Sequence, residues 1–183
     1  MHPQHGIVSD LQYHDREFSE LDPPDEEVNL FVCESTASER LKAKGLCERG
    51  VVPDFYGTIT NIQPALWPNL DMFIDDKIPP RAVLIEYVPD IQPIDLSNFS
   101  LQYLHQLGHI LEDIHSAEIL QGDPYPRNMM ISKQGRVLWI DFDRSQTFSG
   151  SLSKRQSTWF EEENEMMEYF INALVCRYNV SID

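Results

Sequence analysis

ILQGDPYPRNMMISKQGRVLWIDFDRSQTF, residues 119–148, carries the chemistry of this chain. Asp123 stands five residues before Asn128, and Asp141-Phe142 follows after a short hairpin pattern. Phosphoryl transfer needs oxygen-bearing groups at one point, one to orient an attacking hydroxyl and others to hold Mg²⁺. A loop and the end of a strand can supply them. On this reading Asp123 is the base, and Asn128 and Asp141 are the metal ligands.

The segment resembles the catalytic loop and metal-binding motif of the protein-kinase-like superfamily. The resemblance is nearest to the aminoglycoside and choline kinase branch and to small fungal proteins related to it. That pattern runs His-Gly-Asp, four residues, Asn, a hairpin, then Ile-Asp-Phe or Ile-Asp-Trp. Here it is Gln121-Gly122-Asp123, Asn128, then Ile140-Asp141-Phe142-Asp143. Two motifs agree at the right separation with apolar strands between them. The resemblance implies an α+β kinase-like fold with a truncated N-lobe and a small, mainly helical C-lobe, acting with ATP and Mg²⁺.

Outward from the motif, Leu101 to His115 predicts an amphipathic helix with Leu104, Leu107, Leu111 and Ile114 on one stripe. Asn128–Ser132 and Arg136–Asp141 predict a hairpin around Lys133-Gln134-Gly135. Beyond a Ser-rich stretch, 144–157, Ser157 or Thr158 is expected to cap a last helix that buries Met166, Met167, Phe170, Ile171, Leu174 and Val175. That helix also bears Glu161, Glu162, Glu163, Glu165 and Glu168, readable as a solvated face or, through the resemblance, as acids that meet a cationic substrate.

Upstream, Leu30, Phe31, Cys33, Ala37 and Leu41 predict a helix ending at Gly45. A strand is expected over Thr58–Ile62, a loop over Gln63–Arg81, and a buried strand over Ala82–Val88. The resemblance makes the helix the regulatory helix of the N-lobe. Glu34, or else Glu39, is then the acid that pairs with a phosphate-binding lysine. It also places the hinge at Glu86, Tyr87 and Val88, whose backbone would face adenine. Residues 1–27 form an acidic, partly disordered segment with at most one strand near Ile7–Tyr13; 28–90 form the reduced N-lobe and 91–183 the C-lobe.

The family pattern is broken in its upper half. Only Gly6 precedes the first helix, so the Gly-rich loop is missing, and no lysine occurs before Lys42. Laid against fungal relatives, Leu11–Phe18 puts Gln12 at the lysine position. Gln121 replaces the usual histidine, and Tyr125 stands where the family often carries Lys or His. Arg127 either lends positive charge to a nucleotide phosphate or pairs with a carboxylate such as Asp143. Two functions follow: an ATP- and Mg²⁺-dependent phosphotransferase with a hydroxyl acceptor, or an inactive pseudokinase that binds a partner.

Composition narrows the partners. A net charge of -16 over 183 residues argues against nucleic acid and anionic membranes and suits a small cationic, hydroxyl-bearing substrate or a protein partner. Cys33, Cys47 and Cys176 match no metal or redox spacing, and the chain shows neither a signal peptide nor an apolar span, so a cytoplasmic protein with reduced thiols is expected. His105 and His109 share a helix face four residues apart, but no third zinc ligand is signalled.

Overall fold

The computed structural model describes residues 6–9 and 29–180. Gln12 and most of the acidic N-terminal segment lie outside the described residues. Helix α1, Leu30–Ala43, starts where Asn29 Oδ1 accepts the Val32 N–H at 3.2 Å. It ends in a left-handed Gly45, φ 80°, with Leu46 N–H bonded to the Leu41 carbonyl and Gly45 N–H to that of Lys42. Those two bonds satisfy the last carbonyls, and only glycine takes that φ without strain. The buried face carries Glu34, Ala37, Ser38 and Leu41. It is therefore rotated from the expected stripe, leaving Leu30 and Cys33 half-buried and bringing a carboxylate inward.

Strands β1 (Gly6–Ser9), β2 (Phe55–Ile59) and β3 (Ala82–Ile85) form an antiparallel sheet in the order β1-β3-β2. Two expected strands shift. β2 starts at Phe55 rather than Thr58, with its irregularity taken up at Gly57, φ 134°. β3 stops at Ile85, because the Glu86 N–H turns to the Asp54 carbonyl. Between β2 and β3 the proline-rich loop makes two short 3₁₀ segments, Pro64–Leu66 and Pro68–Phe73.

The second half is built around α2, Leu101–Ser116, capped by Ser100 and burying Leu104, Leu107, Ile110, Leu111 and Ile114. Against it lies a sheet of β4 (Ile91–Pro93), β6 (Met129–Ser132) and β7 (Val137–Trp139), in the order β4-β6-β7. All three residues of β7 are buried, and the indole N–H of fully buried Trp139 donates to the Leu107 carbonyl at 3.0 Å. Such a tie lets a large aromatic enter the core without stranding a donor. β5 (Ile119–Leu120) pairs with β8 (Gln146–Thr147), closing the loop between them.

The last helix, α3, spans Lys154–Val180. Its cap is Ser153, not Ser157 or Thr158. Ser153 Oγ accepts the Gln156 N–H and Gln156 Oε1 accepts the Ser153 N–H, a reciprocal pair that outcompetes a later start. Met167 is buried, and Phe170, Ile171, Leu174 and Val175 pack on the same core as α2 and Trp139.

Arg136 fastens the two halves behind the site. Its guanidinium grips the Glu86 carboxylate at 2.7 and 2.9 Å and donates to the Gly50 and Val52 carbonyls. That partner holds the Glu86 carboxyl below its usual range. The Glu86 side chain is thus a strut between elements.

Candidate active site

The catalytic-loop residues converge as their spacing implied. Gln121 is fully buried and works in two directions: its Nε2 donates to the Asp141 carbonyl at 2.9 Å, and its Oε1 accepts the Asp123 N–H at 2.7 Å. One amide therefore joins the loop to the strand end, doing with a donor and an acceptor what a histidine can do. Asn128 Nδ2 donates to the Asp123 carbonyl and to Asp123 Oδ2, both at 2.9 Å. Its Oδ1 is the acceptor left over.

Gly122 sits at φ 81°, and a Cβ there would meet the Arg144 carbonyl oxygen at 2.1 Å. Both facts demand glycine. Asp141 follows β7 at φ 64° and is exposed, an uncommon backbone state for a non-glycine residue. Asp143 touches it, and burial together with the Asp141 charge pushes the Asp143 carboxyl up to about 6.

Arg127 does not pair with Asp143. Its Nη2 reaches both Asp123 oxygens, at 2.6 and 2.7 Å, while the guanidinium carbon lies 4.7 Å from the centre of the Tyr125 ring. The i,i+4 spacing across a 3₁₀ turn, Pro126–Asn128, brings Asp123 within closer reach than Asp143.

Glu34, not Glu39, faces this cluster. Its side chain is buried whereas Glu39 is exposed, and it lies beside the backbone of Phe142. Burial first, then the Asp141 charge, push the Glu34 carboxyl up to about 8. Its Oε2 is buried without a hydrogen-bond partner among the described residues.

Of the glutamates on α3, one has a place that neither a solvated face nor a substrate contact describes. Glu163 is buried beneath the loop, although Glu161, Glu162, Glu165 and Glu168 around it are exposed. Its carboxylate accepts the Gln121 N–H at 3.1 Å, the Gly122 N–H at 2.6 Å and a bond from His115 Nε2 at 2.8 Å. The signal was present: Glu163 lies four residues before Met167 on the buried face of α3. His105 and His109 are both exposed, and His109 pairs with Glu112.

The donor set fits a hard divalent cation. Asn128 Oδ1 and the carboxylates of Asp141 and Asp143 are all oxygen, and burial first, then the neighbouring Asp141 charge, raise the Asp143 carboxyl although Arg144 opposes the rise. Among the described residues no group of three or more His, Cys, Asp or Glu is arranged to hold a metal unaided. Mg²⁺ is usually held by one or two carboxylates plus substrate phosphates, so a ready-made cage is not required.

Residues 96–160 match the model of the lipopolysaccharide kinase (Kdo/WaaP) family, a member of the protein-kinase-like superfamily. This window runs from just before α2, through the catalytic loop and hairpin, to the first turns of α3. No curated protein matches the chain. The α+β architecture is consistent with a kinase-like fold with a reduced N-lobe. No helix among the described residues is long and apolar enough to cross a membrane.

Proposed function

We propose that this kinase-like protein transfers phosphate from ATP to a hydroxyl acceptor, with Mg²⁺ held by Asn128 and Asp141. The observation that carries this reading is the closed network joining Asp123, Asn128 and Gln121 to the carbonyl of Asp141. It holds Asp123 and Asn128 against each other and ties both to the backbone that carries Asp141, which supports the preorganisation that such chemistry needs. A nucleotide-borne Mg²⁺ there supplies charge neutralisation at the transferring phosphate. Asp123 orients the acceptor hydroxyl and takes its proton, which requires Arg127 to swing off the carboxylate toward the phosphate. Adenine recognition falls to the carbonyl of Glu86 and the backbone of Tyr87 and Val88, since the Glu86 side chain and N–H are engaged.

The second reading, a pseudokinase that acts by binding, is favoured by one observation. The resemblance would make Glu34 the lysine-pairing acid, yet its Oε2 has no partner among the described residues. Thermal denaturation with MgATP separates the two. A bound ligand at a hundredfold excess over its Kd stabilises by about 2.7 kcal/mol. An unchanged melting temperature at millimolar MgATP removes the enzyme reading. If a shift is seen, Asp141→Ala should abolish its metal-dependent part, and Asp123→Asn should abolish phosphate transfer while leaving MgATP bound.

A further inference from the structure

Next to Asp123 the surface is aromatic. The Tyr125 ring, 41% exposed, lies 5.6 Å from that of Phe170, which lies 5.6 Å from that of Tyr169, 67% exposed. These rings form a shelf between the catalytic loop and α3. The Arg127 guanidinium, a flat group, rests over Tyr125 while hydrogen-bonding the Asp123 carboxylate. Arg127 thus marks a position over Tyr125 from which a flat group can donate to Asp123.

We infer that the Tyr125–Phe170–Tyr169 shelf is the acceptor subsite and that the acceptor is an aromatic ring bearing the reacting hydroxyl. A phenol stacked on Tyr125 with its O–H on Asp123 reproduces both contacts that Arg127 now makes. Offset or edge-to-face packing against three rings gives the binding that an aliphatic alcohol cannot obtain. A cationic ring is disfavoured there because displaced Arg127 stays close by. The inference rests on the phosphotransferase reading. In the step, the phenolic oxygen forms a bond to the γ-phosphorus of ATP and its proton passes to an Asp123 oxygen. The bond from that phosphorus to the β,γ-bridging oxygen breaks, and its electron pair leaves with ADP.

The test uses the full chain, 4-ethylphenol and choline as acceptors, and Tyr169→Ala and Tyr125→Leu as variants. Binding of 4-ethylphenol is followed by saturation-transfer NMR, and transfer by labelled γ-phosphate. We expect 4-ethylphenol to bind and to be the better acceptor, with KM raised about tenfold in each variant, kcat changed less, and the MgATP melting shift unchanged. Tyr169 is largely exposed, so its variant keeps the fold even if Tyr125→Leu does not. A MgATP shift without phenol binding, a preference for choline, or an unaltered KM in Tyr169→Ala overturns the subsite. Phenol binding that Tyr169→Ala weakens, without any MgATP shift, upholds the subsite and sinks phosphate transfer instead.

Discussion

The lower and upper sides of the candidate site are built on opposite terms. Below, hydrogen bonds tie the loop together: Gln121 joins two backbone segments, Asn128 supports Asp123, and Glu163 takes two loop N–H groups and His115. Above, Glu34 enters the same cluster with a buried oxygen that no described residue satisfies. An unpaired buried carboxylate is so costly that the group keeps its proton instead. The contrast teaches that hydrogen bonds hold the lower side together, whereas on the upper side burial of a carboxyl is left uncompensated among the described residues.

Gly122→Ala strikes the lower side hardest. It adds a methyl against the Arg144 carbonyl and imposes φ 81° on a residue with a Cβ. The expected loss is about 4 kcal/mol, read by urea denaturation. A loss below about 1 kcal/mol would mean that the loop is not held as described.

Glu163→Ala comes next. It strands the Gln121 and Gly122 N–H groups and the His115 ring, for a loss of about 3 kcal/mol. The neighbouring exposed Glu162→Ala, as control, should stay within about 0.5 kcal/mol. Equal effects would put Glu163 back on the solvated face.

On the upper side the sign reverses. Glu34→Gln should stabilise the protein, by about 2 kcal/mol near pH 8 and by almost nothing near pH 4. In the unfolded chain this carboxyl ionises around its ordinary 4.5, but in the fold it holds its proton to about 8. Burial therefore costs nothing below the lower value, costs progressively more between the two, and levels off above the higher. Urea titrations in EDTA across this range read it. Stabilisation that does not vary with pH would show that Glu34 is already paired.

The smallest effect tests the histidine pair. His109→Ala removes an exposed contact to Glu112 and should change stability by less than about 0.5 kcal/mol, with or without added zinc. A zinc-dependent shift that this variant abolishes would reopen a metal site on α2.

Much of the lower side was legible because its determinants are local. The α2 stripe, the hairpin around Gly135 and the Asp123–Asn128 spacing each act over a few residues, so periodicity and spacing expose them. Boundaries set by competition were not. The Ser153–Gln156 reciprocal bonds beat the Ser157 start, and the Glu86 bond to Asp54 cut β3 short.

By itself the sequence determined the α+β order, the two-motif pattern of the candidate site and the want of a lysine before Lys42, since these depend on residue type and near-neighbour spacing. Only the tertiary structure decided that Arg127 covers Asp123, that Glu86 braces Arg136, and that one of five glutamates on α3 holds the catalytic loop. The chemistry of a carboxylate is written in its residue type. Whether it braces a loop, faces water or awaits a cation depends on which distant element folding packs against it.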